Sequence, residues 1–261
     1  TEFSVTATEN LMMLGTAMPS LEIELAAAEP HIQDLGRFLE KLGFVLGGLG
    51  THNIRIFGSK DVPTAGTYHT IMPDPIEAGT FMVLGALVSE SLSIRNVPVA
   101  FMTSPIKKLQ EFGVNLKILN ETVIVKNSLK NLKASKIQTL PYPGFPTDLQ
   151  APYGVLATQS EGSSLIFDTL YEGRLRYINE LQKMGARAEI LDDHRAIIHG
   201  STALRGAEIK SLDLRAGATL IIAALIAEGR STLNDAEQID RGYARLEERL
   251  RLLGAEIERI K

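Results

Sequence analysis

The chain has 261 residues, 44% hydrophobic and 22% charged, with a formal net charge of −4 and no cysteine. This is ordinary globular composition, enough for one large or two smaller domains. It excludes disulfides, thiolate metal sites and a cysteine nucleophile, and it fits a cytosolic setting. No basic tract with interleaved aromatics points to nucleic acid. The opening TEFSVTATENLMML lacks the basic start and apolar core of a secretory signal. The longest apolar runs, such as ATLIIAALIA at 218–227, fall short of the ~18–20 residues that span a bilayer.

In chain order, a first helix opens at TATEN and a second ends in FLEKLGFVL, stopped at Gly43. Glycine is the common stop there because it has no Cβ to penalise positive φ. FVLGGLGTHNIRIFG then turns through Gly47–Gly50. A strand (Ile54, Ile56) follows that glycine cluster, whereas a phosphate loop requires a helix, so the cluster reads as a hairpin turn. The next helix opens at PIEAGTF. Its successor has Ser104 and Pro105 as expected N-cap and first helical residue and ends in KLQEFGVNL at Gly113. VNLKILNETVIVKN alternates around Asn120–Glu121, a hairpin signal.

PYPGFPTDLQAP, 141–152, leads into another helix. Its prolines and glycine stiffen the chain just before Asp148, which suits either a linker ending in a helix cap or a loop that holds Asp148 for chemistry. ELQKMGARA stops at Gly185, and ARAEILDDHRAIIHG turns at Asp192–Asp193. LDLRAGA opens the next helix. The last one has an expected apolar face of Tyr243, Leu246, Leu250 and Leu253, and RLRLLGAEI stops it at Gly254. The near-constant glycine spacing marks a repeated unit of helix–strand–helix–strand–strand, with one more strand closing it from the next unit. The first unit starts almost on its helix, and the last stops at GAEIERIK with no return strand. The chain is therefore expected to be the C-terminal portion of a longer protein, completed by another segment or chain.

An acid stands near the opening of each unit's first helix: Glu9, Glu77, Asp148 and Asp213. All four suit a helix N-terminus electrostatically. Arg215, directly after Asp213 and Leu214, opposes that dipole, which makes sense if an anion lies close by. Arg241 in QIDRGY and Arg174 in YEGR occupy matching places before their helices, and guanidinium groups bind phosphate or carboxylate through paired donors. His194 and His199 lack partners at metal spacing, and the histidines read as surface or packing residues. No Walker loop, dinucleotide fingerprint or serine elbow occurs.

YPGFPTDLQAP, YEGRLRYINELQKMGA, DLRAGATLIIAALIAEG and IDRGYARLEERLRLLGAEI, with MPDPIEAGTF and SVTATEN, resemble the UDP-N-acetylglucosamine enolpyruvyl transferases along essentially the whole chain. Motifs of the shikimate-phosphate enolpyruvyl transferases, which share that fold, are not found. The resemblance implies an α/β (α+β) fold of repeated βαβαββ units, an inside-out α/β barrel. Residues 1–72 would be the last unit of one domain and 73–261 a nearly complete three-unit domain. It implies transfer of enolpyruvate from phosphoenolpyruvate to the C3 hydroxyl of UDP-N-acetylglucosamine, the first committed step of peptidoglycan synthesis, in the cytoplasm. No cofactor, metal, nucleic acid or membrane partner is expected.

By the same resemblance, Asp148 is the proposed general base at the sugar hydroxyl. Arg215 and Arg241 hold phosphoenolpyruvate and the displaced phosphate. Leu170 lines the nucleotide-sugar site, and Ser4 and Val5 bind the diphosphate. The family's early Lys-Asn pair and its acid-bearing loop have no counterpart here, so the chain by itself is expected to be inactive. Glu2 stands where the family has Lys, Ala28 and Pro75 where it has Arg, and Arg249 where Lys is familiar. The Ala28 and Pro75 changes favour a rival reading, a non-catalytic paralogue or scaffold that keeps the fold. Asp148, Arg215 and Arg241 together favour the enzyme.

Overall fold

Apolar spacing switches between periods of 3.6 and 2 along the chain, and the elements follow those switches. The structure, a computed structural model, describes residues 3–58 and 66–260. It divides into two units, Thr1–Pro73 with Pro141–Gly144, and Asp74–Leu140 with Phe145–Lys261. In the first, α1 (Val5–Gly15), β1 (Leu21–Glu24), α2 (Pro30–Lys41), β2 (Val45–Gly47) and β3 (Asn53–Phe57) follow in order. β3 lies between β1 and β2, antiparallel to both. Its sequence NIRIF alternates, so Ile54 and Ile56 join a core of Met12, Ile23, Ile32 and Phe44. Glu2, singled out above, lies outside the described residues.

The second unit repeats this order. It begins with α3 (Pro75–Leu87), β4 (Ser91–Ile94), α4 (Thr103–Glu111), β5 (Leu116–Leu119) and β6 (Thr122–Lys126). Next come β7 (Ile137–Gln138), α5 (Gln150–Gln159), β8 (Gly162–Phe167), α6 (Tyr177–Lys183), β9 (Arg187–Ile190) and β10 (Arg195–Gly200), the full βαβαββ order. The last elements are β11 (Glu208–Lys210), α7 (Leu214–Ile226), β12 (Thr232–Asn234) and α8 (Leu246–Leu252). The three hairpins fall at the turns read from sequence, as antiparallel β2–β3, β5–β6 and β9–β10. The extra strand differs from expectation. β7 pairs in parallel with β8, and β11 with β12, so it precedes the first helix of its own repeat and does not arrive from the repeat that follows.

The glycine stops share one geometry. Gly43, Gly113, Gly185 and Gly254 have φ of 92°, 85°, 93° and 96°. The amide after each, on Phe44, Val114, Ala186 or Ala255, donates to the carbonyl of Leu39, Leu109, Leu181 or Leu250. This backward bond satisfies a carbonyl the helix end leaves open, and only glycine reaches the required φ without strain.

Three helix expectations are corrected. α4 starts at Thr103, with Met102 at its N-cap and no side-chain cap. A 3₁₀ turn at Val99–Phe101 feeds straight into it, so Ser104 and Pro105 are its second and third residues. Proline is tolerated there because first-turn amides have no helical partner. Glu9 lies inside α1, which Ser4 caps, whereas Glu77 does stand in the first turn of α3, behind an Asp74 cap. Tyr243 precedes α8 and is buried with Leu246 and Leu250, but Leu253 follows the helix and is exposed.

α3, α5 and α7 pack on one another and are buried almost all round, through residues 78–87, 150–158 and 216–223. Their approach to neighbours is close enough to exclude side chains at particular points. A Cβ on Gly154 of α5 would stand 2.3 Å from the Tyr177 hydroxyl, and one on Gly217 of α7 would stand 2.6 Å from Ile239 Cγ1.

After α8, Ala255 and Ile257 pack on this core. Arg259 grips Asp240 with two 2.8 Å hydrogen bonds and reaches Glu247 at 3.3 Å. The Arg259 hydrogen bond holds the Asp240 carboxyl below its usual range, against the opposing effect of burial. A depressed folded value stabilises above the unfolded pKa of about 4 and loses that contribution as pH falls through the folded value. Arg259→Met should therefore lower stability at pH 7 by on the order of 1 kcal/mol or less, since the pair is partly solvated. Thermal denaturation should show the deficit shrinking as the pH falls below 4; a deficit undiminished at pH 2 would rule out the ion pair as its source.

Candidate active site

The segment before α5 ends in a 3₁₀ turn, Thr147–Leu149, which carries Asp148. Both of its carboxylate oxygens are occupied. Oδ1 accepts from Arg174 Nη1 at 2.8 Å, and Oδ2 accepts from Arg215 Nε at 3.1 Å. Arg215 is the second residue of α7. Asp213 fixes its backbone by capping that helix, its Oδ1 accepting from the amides of Arg215 (2.7 Å) and Ala216 (2.8 Å). A cation at a helix N-terminus needs a nearby anion, and Asp148 supplies one from within the chain.

The Arg215 side chain is 15% exposed, against 32% for Asp148. Its guanidinium carbon lies 5.4 Å from the centre of the Tyr243 ring, and its Nη1 is buried without a hydrogen-bond partner. Burial works against the charge of Arg215, but Tyr243 and Asp148 outweigh it and hold its pKa above the usual value. Tyr243 is pushed up by its own burial, against the pull of Arg215, and its hydroxyl hydrogen-bonds with Thr80 at 2.9 Å.

Arg174 is held at two points. Its guanidinium carbon lies 4.9 Å from the centre of the Tyr171 ring. Its carbonyl accepts from the buried Gln150 Nε2 at 3.2 Å, and Gln150 Oε1 accepts from the Tyr177 hydroxyl at 3.2 Å. Burial, with the charge of Asp168 added, pushes the Tyr177 hydroxyl well above its usual pKa, so it remains a donor. A small cleft is lined by Thr147, Gln150, Arg174, Tyr177, Asp213 and Arg215 among others. A second small hollow, between α3, α7 and α8, is apolar apart from Thr80 and offers nothing to a charged ligand.

The other residues singled out from sequence are more scattered. Leu170 is exposed, in the loop between β8 and Arg174. Arg241 is exposed at the end of a 3₁₀ segment, Ala236–Arg241, with a 3.5 Å bond to Gln238 Oε1. Gly242 after it lies against α7, where a Cβ would stand 3.6 Å from Arg215 Nη1. The backbone next to Arg241 therefore abuts the free end of Arg215. Ser4 and Val5 belong to the first unit, where Ser4 Oγ caps α1 by accepting from the Ala7 amide at 3.3 Å and Val5 is its first residue. Ala28 is buried, Pro75 is the first residue of α3, and Arg249 pairs with Glu77 above the Phe81 ring.

Sequence reasoning read Arg174 as an anion binder and missed its pairing with Asp148. It also missed Gln150 and Asp168, and it left the histidines without specific tasks. His194 Nδ1 lies 2.8 Å from the Asp168 carbonyl, and His199 Nδ1 2.8 Å from Ser163 Oγ. No group of three or more His, Asp or Glu among the described residues is arranged to hold a metal ion.

The family model described as EPSP synthase (3-phosphoshikimate 1-carboxyvinyltransferase) matches residues 2–250. UDP-N-acetylglucosamine 1-carboxyvinyltransferase 1 of Caldanaerobacter subterraneus subsp. tengcongensis is 48% identical over 98% of this chain and 61% of its own length. UDP-N-acetylglucosamine 1-carboxyvinyltransferase 2 of Bacillus subtilis is 43% identical over 98% of this chain and 59% of its own. The chain thus spans about three-fifths of the length of these curated relatives. Among solved structures, the enolpyruvyl transferase NikO from Streptomyces tendae superposes with a TM-score of 0.87 at 26% identity, over 97% of this chain and 60% of that one. EPSP synthase from Acinetobacter baumannii shares the fold, with a TM-score of 0.70 at 20% identity, over 98% of this chain and 61% of that one. Matched along nearly its whole length and folded as enolpyruvyl transferases are, the chain belongs to the EPSP synthase (3-phosphoshikimate 1-carboxyvinyltransferase) family.

Proposed function

We propose that the chain serves an enolpyruvyl transferase that moves enolpyruvate from phosphoenolpyruvate to the C3 hydroxyl of UDP-N-acetylglucosamine, in the cytoplasm, as the first committed step of peptidoglycan synthesis. The choice of acceptor rests on identity, 43–48% to relatives named for UDP-N-acetylglucosamine against 20% to EPSP synthase. Residues 1–72 are read as the last unit of one domain and 73–261 as a three-unit second domain.

The observation that carries the reading is Asp148 gripped by Arg174 and Arg215 at the joined ends of α5 and α7. Transfer forms a bond from the sugar oxygen and releases phosphate, so the hydroxyl must lose a proton and the phosphate must be held. Asp148 is the proposed acceptor of that proton, with Arg215 and Arg241 the cations for phosphoenolpyruvate and phosphate. Leu170, Ser4, Val5 and Asp148 would contact the nucleotide sugar. Both Asp148 oxygens are engaged by arginine. A phosphate that competes with Asp148 for the Arg215 guanidinium turns Asp148 Oδ2 over to the hydroxyl. The base thus comes free when the anion lands.

A second reading, a non-catalytic paralogue, is favoured by the buried Ala28 and by Pro75 at the start of α3, two places where the resemblance puts arginine. Phosphate release by the full-length gene product, given both substrates, separates the two. Turnover is expected, and Asp148→Asn should lower kcat by roughly 10²–10⁴-fold with circular dichroism unchanged. Nucleotide-sugar binding without turnover in the parent would favour the paralogue, and an Asn variant as fast as its parent would remove Asp148 from the chemistry.

The clamp itself predicts a stability effect. Asp148→Asn leaves two guanidinium groups without their shared counter-charge, at a cost of about 1–3 kcal/mol. Inorganic phosphate should then raise the Tm of the variant more than that of the parent. Equal shifts in the two would show that the arginines do not take an external anion.

A further inference from the structure

We propose that Asp168 is the positioning residue of the candidate site, holding the loop that carries Leu170 and Arg174 in register with the turn that carries Asp148. Asp168 follows β8 and is fully buried. Its Oδ1 accepts from Thr139 Oγ1 at 3.0 Å and from the amides of Leu170 (3.0 Å) and Tyr171 (3.1 Å). Its Oδ2 accepts from the Thr147 hydroxyl. Its backbone is fixed as well, with its amide donating to the His194 carbonyl at 2.8 Å and its carbonyl 2.8 Å from His194 Nδ1. One carboxylate therefore ties together the strand end at Thr139, the residue before Asp148, and the loop leading to Arg174.

Burying a carboxylate costs several kcal/mol even after relaxation. No Lys or Arg pairs with Asp168 among the described ion pairs, and its side-chain partners are neutral hydroxyl and amide donors. An apolar residue would fill the same volume at lower cost, but it could not fix four donors relative to one another. What those donors fix is the site. Thr147 is bonded directly to Asp148, and the turn at Leu170–Tyr171 sets out toward Arg174, whose carbonyl Gln150 pins from the other side. Arg215 and Arg241 stand on separate elements and make no hydrogen bond with Asp168. Loss of Asp168 therefore acts on base geometry and sugar contact directly, and on the anion only through the Asp148–Arg215 bond.

This inference rests on the transferase reading for its kinetic test. In the full-length protein, Asp168→Asn keeps the shape but replaces an acceptor oxygen with a donor. It should lower kcat about 10–100-fold and raise KM for UDP-N-acetylglucosamine severalfold, because displacing a reacting group by about 1 Å costs on that order. The affinity for inorganic phosphate, measured by calorimetry, should not fall, because a loosened Asp148 competes less for Arg215. Thr147→Val should reproduce the loss in kcat, and Thr147→Ser, which restores the hydroxyl, should recover it. Unchanged kinetics would overturn the proposal, as would losses that track only the folded fraction or a phosphate affinity that falls in parallel. If the parent protein does not turn these substrates over, the transferase reading fails, and amide hydrogen exchange on the full-length protein decides the role of Asp168. Exchange at Leu170 and Tyr171 should quicken at least about tenfold in Thr147→Val, with the protection of α5 kept; unchanged exchange there would overturn the proposal.

Discussion

The packing of α5 against α7 decides where everything else in the second unit can be. Both helices are buried nearly all round, and burying each large aliphatic side chain contributes about 1.5–3 kcal/mol. Their N-terminal ends lie together, so Asp148 meets Arg215 across 67 residues of sequence. The charged pair does not assemble the helices, since a partly solvated ion pair contributes far less than a buried helix face. Apolar packing fixes the frame, and the clamp is built on its rim. Asp213 adds the local precision by capping the first turn of α7 and so orienting the backbone from which Arg215 extends.

The start of the inner helix has a different fate in each repeat of the second unit. At α3, Asp74 caps the helix and Glu77 is taken up by Arg249. At α5 no side chain caps the helix, and Asp148 faces two arginines. At α7 the cap is again an aspartate, and the second residue, Arg215, reaches across to Asp148 as the cation. One architectural position thus serves structure once and candidate chemistry twice, which is why acids at equivalent places could not be sorted by spacing alone.

Much of the fold was legible because its signals are local. A glycine stop needs positive φ at one residue, and a hairpin needs a turn between two alternating runs, so both were read within a window of about ten residues. The start of α4 was misread because a 3₁₀ turn and the buried Met102 do the work that a side-chain cap does elsewhere. In the site, Asp148 and Arg215 stood out through a stiff loop and an unfavourable dipole. The pairing of Arg174 with Asp148 depends on a contact 26 residues apart, and that of Asp168 with Thr139 on one 29 apart. Neither leaves a periodic trace. A buried aspartate after an apolar strand, followed by threonine, carries no mark in sequence that separates it from a turn residue.

The close contact between Gly154 and Tyr177 constrains the order in which this sequence can drift. On helix propensity alone, alanine at 154 is better than glycine by up to ~1 kcal/mol. Its Cβ would meet the Tyr177 hydroxyl at 2.3 Å, while the ring carbons stand 3.0 Å away. Tyr177→Phe would remove the nearest atom and leave contacts that a shift of a few tenths of an ångström relieves. The favourable change at 154 is therefore open only to a lineage that has first given up the tyrosine hydroxyl, and with it the bond that steadies Gln150 beneath Arg174. Two substitutions that each look conservative are coupled through one oxygen atom, and they are accessible in only one sequence of steps.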